Sequence, residues 1–340
     1  MKILKYITVC TLFLSFLSSC DKDLVGEAKD LEEGPTKGLP EDDSLRLEIT
    51  TVTHEDQMGS FYDNGIVEFQ GKIWSVAGYN SYSLPNCNSD IWSSDNGINW
   101  RSVTSNHFGA RRGHATAVFK DKIWVISGIN TDASPWVEYD DIWSSTDGEA
   151  WTQELEHAPF GHMFYPSLTV FHDKMFIIGT SSSDEMVVWS TADGISWNLE
   201  ASSPFPKRES HQTVVFNDKM YVIGGQTAGH AYNDIWSSDD GATWTNLTLS
   251  GDVFSGRFGH GVTVYDNKVW VLGGTGILTG PYADLYYSED MEEWTQYTDL
   301  GPSPTPLSNF GTLTYNGAIW IFGGYDNREP IGEIVTLKAI

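Results

Sequence analysis

Six stretches of the chain repeat one alternation of apolar and polar positions. An apolar strand gives way to a two-residue polar turn, and a second apolar strand carrying an aromatic follows. The stretches run from Val67 to Trp74, Val118 to Trp124, Val170 to Phe176, Val215 to Tyr221, Val264 to Trp270 and Thr314 to Trp320. Each second strand closes on glycine, at Gly78, Gly128, Gly179, Gly224-Gly225, Gly273-Gly274 or Gly323-Gly324. With Lys72, Lys122, Lys174, Lys219, Lys268 and Ala318 as markers, successive copies lie 50, 52, 45, 49 and 50 residues apart. Alternation of this kind predicts half-buried strands. The Asn-Asp, Asp-Asn and Asn-Gly turns supply the positive φ that a two-residue hairpin needs. A period near fifty predicts units that bury one another's faces.

A second motif interlocks with the first. Ser93 to Trp100 and Ser237 to Trp244 share Ser-Ser-Asp, a Gly and a closing Trp. Ser144 to Trp151 and Ser190 to Trp197 place Thr146 and Ala192 where the Asp stood, and Ser288 to Trp294 reads as one residue shorter, without the Gly. Thirteen of the 14 Trp fall in the second strands, the third strands or these turns, which assigns them to packing between sheets. Asp90, Asp141, Asp234 and Asp284 each open a third strand and likewise read as part of the repeat.

The paired strands and their glycines resemble kelch repeats, the four-stranded blades of galactose oxidase-like β-propellers. The Ser-Asp-Gly-Trp turns resemble the Asp box of sialidases and other propellers. Together the motifs cover the chain from about residue 59 to 340, and they imply an all-β fold: a six-bladed β-propeller of kelch type. The sixth copy stops at Ile340, short of a fourth strand. Ahead of the first copy, Leu45 to Thr53 alternates apolar and polar residues and becomes β-branched toward its end. We expect this segment to complete the last blade, so that N- and C-terminal strands share one sheet and leave no open edge. The propeller domain is then 45–340.

Charge and cysteine count narrow the possible partners. The 340 residues carry 20 Lys+Arg against 46 Asp+Glu, a formal net charge of −26. A nucleic-acid partner needs a basic stripe, and none is present. Docking on anionic lipid needs clustered Lys and Arg. Met1 to Lys5 forms a basic n-region and Ile7 to Leu17 an apolar run too short to span a bilayer. The run ends in Leu17-Ser18-Ser19-Cys20, which resembles the lipobox of bacterial lipoproteins. By that resemblance residues 1–19 are a signal peptide and Cys20 is lipidated. The alternative is an ordinary secretory signal beside a chance cysteine. Residues 21–44 hold nine acidic and three basic side chains with almost nothing apolar, so 20–44 reads as a lipidated Cys and flexible tether. Asp21-Lys22-Asp23 resembles the acidic export signal of Bacteroidota surface lipoproteins, which implies an outer-membrane protein facing the cell exterior. Cys10 and Cys20 belong to the leader, so Cys87 has no internal disulfide partner.

Candidate site residues gather where propellers present their top face. The loops leading into the first strands carry Arg111-Arg112-Gly113-His114, Arg208-Glu209-Ser210-His211 and Arg257-Phe258-Gly259-His260. Each His lies eight residues before its marker, where the other blades have Asn64, Pro166 and Phe310. First strands line the central channel, so these groups should meet at its mouth as donors for anions or hydroxyl-rich ligands. Tying adjacent blades together is the competing role. Three His spread around a ring sit too far apart to share one Zn²⁺ at about 2.0–2.1 Å. No D-x-D-x-D loop marks a Ca²⁺ site, and no metal or cofactor is expected. Trp136, the one Trp outside the repeat, sits in the longest loop between strands two and three, beside Tyr139. An exposed aromatic plane there suits stacking on a sugar or packing on a neighbouring loop. Tyr82 and Tyr232 are further loop aromatics, with His162, Tyr165 and Lys207 on the same rim.

The resemblance to Bacteroidota surface lipoproteins implies a non-catalytic glycan-binding accessory, with an enzyme the less favoured reading. Lipoproteins of this build accompany polysaccharide utilisation systems, so the expected partners are a glycan or polysaccharide fragment and an outer-membrane transport complex, with the lipid anchor as the one membrane contact. Two alternatives stay open. One is a protein-interaction scaffold in an outer-membrane complex, a common use of kelch repeats. The other is a carbohydrate-active enzyme such as a sugar mutarotase or epimerase, for which His114, His211, Glu209 and Arg257 offer acid and base groups. The chain lacks the Arg-Ile-Pro of sialidases, and Cys87 is the only cysteine available for the Cys-linked Tyr of galactose oxidase.

Overall fold

The computed structural model describes residues 45–52, 58–80, 85–104, 107–300 and 305–340; the expected signal peptide, Cys20, the tether and Tyr82 lie outside them. Six sheets follow one another as blades, each with four antiparallel strands, and in the fifth blade the short strand Ser250–Gly251 adds to the outer edge in parallel. Their innermost strands are Gly65–Phe69, Ala115–Phe119, Ser167–Phe171, Gln212–Phe216, Gly261–Tyr265 and Gly311–Tyr315. Each packs against the innermost strand of the next blade, the last against the first, and so closes a ring around an axis. Among the described residues there is no helix, hence none long and apolar enough to cross a membrane.

The last blade closes as its sequence suggested. Leu47–Val52 pairs antiparallel with Ile334–Ala339, register Leu47 to Ala339, as the outer strand of the sixth sheet. Six residue pairs in antiparallel register thus join the two ends of the domain. In every blade the hairpin between strands one and two has both central residues at positive φ, from Gln70-Gly71 to Asn316-Gly317. That is the primed turn whose twist matches the flanking strands.

The core is divided into six apolar clusters, each between neighbouring blades. Their anchors are the second-strand aromatics. Trp124 and Trp270 are fully buried, and each donates its indole N–H to the carbonyl that ends its own first strand (Phe119 O at 2.9 Å, Tyr265 O at 3.1 Å). Removing so large a buried ring costs roughly 3–5 kcal/mol.

The turns between strands three and four are held one residue later than the sequence suggested. The binding pair is Ser94 with Asn96, Ser145 with Asp147, Thr191 with Asp193, Ser238 with Asp240 and Ser288 with Asp290. In each turn the hydroxyl accepts the N–H three residues on, and the carboxylate or amide oxygen accepts two more. The variable third position, Asp95, Thr146, Ala192 or Asp239, makes none of these bonds. Counted from Ser288, the fifth turn is as long as the others; Met291 fills the glycine position at φ 74°. The N–H groups of Ser196 and Ile195 pull Asp193 down to about 2. At Gly194 (φ +85°) an added Cβ would lie 2.0 Å from the Trp124 ring of the preceding blade, so this glycine is where one blade's turn seats on the preceding blade's anchor.

Candidate functional site

Asn64, His114, Pro166, His211, His260 and Phe310 occupy one position in six blades, and the fold brings all six to the mouth of the axis. They line a cavity of about 120 Å³ and, with the next two residues of each strand, a lower one of about 200 Å³. His114, His211 and His260 are almost wholly buried. Ser167 Oγ lies 2.9 Å from His211 Nε2, but His211 Nδ1 and both ring nitrogens of His114 and His260 have no partner within the protein. Neither do Asn64 Oδ1 and Thr116 Oγ1 on the same walls. Seven of the eight buried, unpartnered side-chain polar atoms among the described residues therefore belong to this one well. Buried polar groups are ordinarily hydrogen-bonded, so a concentration like this singles the well out as the candidate site.

Burial, reinforced by Arg111, pulls His114 down to about 3; burial and Arg208 do the same to His211, and burial, Arg257 and His211 hold His260 well below its ordinary value. The Val76 backbone opposes the shift on His114 without completing a hydrogen bond to either ring nitrogen. At neutral pH each imidazole is uncharged and offers one donor and one acceptor.

One residue above the well lies a collar: Asp63, Gly113, Tyr165, Ser210, Gly259 and Asn309, all at positive φ between 44° and 59°. Backbone N–H groups run around it, from Asp63 to Asn309 O, Asn309 to Gly259 O, Gly259 to Ser210 O and Ser210 to Tyr165 O. A tyrosine at φ 44° is the strained member. Gly113 beside it has no room for a side chain, since a Cβ there would lie 2.8 Å from the Tyr165 ring. Tyr165 donates its hydroxyl to Asp63 Oδ2 (3.0 Å) and accepts from Arg112 Nε (2.8 Å); Asn309 Nδ2 donates to Asp63 Oδ1 (2.6 Å). Arg112 also sits 3.2 Å from Asp63. Burial pushes Asp63 up and Arg112 opposes it; burial and then Asp63 push the Tyr165 hydroxyl up. Above the collar Tyr62 packs against Tyr79 and Tyr325, ring centroids 4.9 and 5.6 Å away, and an open basin of about 620 Å³ spreads from Tyr62 and Arg112 to Leu278.

The arginines three residues before the three histidines are a correction. Arg111, Arg208 and Arg257 are fully buried and offer a ligand nothing. Each forms two-pronged bonds to Asp141, Asp234 or Asp284 (2.6–3.0 Å) and donates to the carbonyl of Ser127, Gly224 or Gly273. Tyr139 and Tyr232 are corrected with them, because their ring faces lie 4.0 and 4.2 Å from the Arg111 and Arg208 guanidinium carbons. His162 belongs to no mouth: it is buried against Phe164, its Nδ1 3.8 Å from Glu138. Lys207 is tied to Asp184. Trp136 is 63% exposed on a short ribbon over blade 2 and lines neither the well nor the basin. Of the expected site residues, Arg112, His114, Tyr165, His211 and His260 are brought together. Asp63, Asn64, Asn309 and Tyr62 join them without having been singled out as binders. Aligning the blades on the residue before the histidine position, where Asp, Gly, Ser and Asn recur, would have exposed the collar. Among the described residues no three of His, Cys, Asp and Glu lie close enough together to hold a metal ion.

The fold defines a six-bladed propeller with a polar well on its axis. The chain belongs to the kelch family: the KLHDC2/KLHL20/DRC7 Kelch-repeats domain matches residues 161–339. It is 30% identical over 149 residues to the Leucine-zipper-like transcriptional regulator 1 homolog of Drosophila melanogaster, a match covering 39% of this chain and 15% of that protein. It is 39% identical over 74 residues to the tRNA wybutosine-synthesizing protein 2/3/4 of Oryza sativa subsp. japonica, covering 21% of this chain and 7% of that one. The chain thus spans only a small part of the curated relatives it matches. Among solved structures, YjhT superposes with a TM-score of 0.69 at 14% identity over 83% of this chain and 96% of that one, a likeness of fold.

Proposed function

We propose that this protein is a non-catalytic glycan-binding module whose site is the axial well. The observation that carries the reading is the set of seven unpartnered polar atoms carried by residues that line one cavity. Sugar hydroxyls both donate and accept, and neutral imidazoles, Asn64, Gln212 and Asn309 do the same. The Tyr62, Tyr79 and Tyr325 rings beside the mouth supply aromatic faces of the kind on which sugars stack. Concave sites with a few convergent polar groups are where small ligands bind. We read the Ser-x-Asp turns as Asp boxes that serve the fold. We read the leader as a Bacteroidota-type lipoprotein signal, with Cys20 as the lipid anchor of a module that faces outward on the outer membrane beside a polysaccharide transport complex. Retention on immobilised polysaccharides tests the site: His260→Leu and Asn64→Leu should abolish it while Trp136→Ala keeps it. No retention of the parent on any polysaccharide overturns the reading. Labelling cells with a fatty acid tests the anchor, since Cys20→Ala should lose the label.

One observation favours a second reading. A strained tyrosine hydrogen-bonded to a buried carboxylate is an arrangement suited to acid–base work on a bound sugar. Acceleration of anomer exchange by the protein, followed by NMR and lost in Asp63→Asn, would establish a mutarotase in place of a binder.

A further inference from the structure

We propose that the axial well selects uncharged sugars and rejects uronates, sulfated sugars and other anions; this rests on the glycan-binding reading above. The ground is a charge balance that the geometry fixes. Arg112 is the arginine that lines the basin above the well, and its guanidinium is held 3.2 Å from Asp63. That carboxylate is itself locked by three donors, Arg112, Tyr165 and Asn309, so the pair reaches a ligand as a net-neutral unit. The other cations of the loops that build this face are matched too, Arg111 by Asp141, Arg208 by Asp234, Arg257 by Asp284 and Lys207 by Asp184; Arg328, exposed on the blade-six loop beside Asp326, lines neither the well nor the basin. Asp132, Glu185 and Glu209 on the same loops hydrogen-bond neutral groups and add negative charge. The well walls below contribute neutral imidazoles, amides and hydroxyls. An anion entering would give up its hydration for a well lined by no unmatched cation, which is unfavourable in the absence of pairing, while an uncharged hydroxylated ring meets both donors and acceptors there.

Affinity electrophoresis of the propeller through neutral polysaccharides (amylopectin, galactan, mannan) and acidic ones (polygalacturonate, chondroitin sulfate) tests this. At least tenfold stronger retention on a neutral polymer is expected, unchanged between low and high salt. Retention on acidic polymers alone, or retention that salt abolishes, overturns the selectivity while leaving the glycan reading intact. No retention on any polymer overturns both. In Asp63→Asn the Arg112 charge loses its partner, and retention on polygalacturonate should rise at least tenfold relative to the parent. An unchanged preference in a variant with parental circular dichroism overturns the charge-balance argument. The parental salt series decides the matter if that variant fails to fold.

Discussion

Two sets of basic side chains lie only three residues apart in the same loops and meet opposite fates. Arg111, Arg208 and Arg257 are saturated: each guanidinium is gripped by a carboxylate and a carbonyl and covered by Tyr139, Tyr232 or Tyr282. His114, His211 and His260 are as deeply buried, yet five of their six ring nitrogens have no partner in the protein. The comparison teaches that burial does not separate structure from function here. Satisfaction does. A polar group whose bonds are complete holds the fold, and one whose bonds are open is the kind of group the proposed ligand would meet.

The largest expected effect comes from breaking a saturated group. Arg257→Met strands Asp284 and should cost about 3–5 kcal/mol, as for other buried pairs missing one partner; urea unfolding measures it. Next, Gly194→Ala forces a Cβ onto the Trp124 ring at positive φ and should cost roughly 2–3 kcal/mol, lowering the urea midpoint. A smaller, graded effect follows from the open set. Histidines whose folded values lie below the unfolded 6.5 bind fewer protons in the native state than in the unfolded chain. Stability should therefore be full above 6.5 and fall as pH drops toward about 3, by up to about 1.4 kcal/mol per pH unit for each histidine. Unfolding at pH 7.5 and pH 5 reads this before the carboxylates titrate. A flat profile there would mean that the histidines are solvated. The smallest effect belongs to Trp136→Ala, which should shift stability by less than about 0.5 kcal/mol because the ring is mostly in water.

The repeat, the six blades and the closure by Leu47–Val52 were legible because periodicity and turn chemistry are local properties of the chain. So was the convergence of His114, His211 and His260, since equal spacing from a marker fixes equal place in a ring. The fate of Arg111, Arg208 and Arg257 was not. Charged side chains are mostly exposed, and their burial depends on aspartates about thirty residues onward in the next strand pair. The clue was present in Asp141, Asp234 and Asp284, although Asp90 shares their position in a blade that has Phe61 in place of the arginine. The network of Asp63 with Tyr165 and Asn309 was invisible for a different reason. It joins blades one, three and six across more than a hundred residues, and only the closed ring brings them together.

Urea unfolding of Arg257→Met beside His260→Met tests the central claim most directly. The account predicts a loss of about 3–5 kcal/mol in the first. The second should stay within about 1 kcal/mol of the parent, because removing an unpartnered polar group leaves nothing stranded. A loss in His260→Met as large as that in Arg257→Met would contradict the account, by making the axial histidines part of the fold.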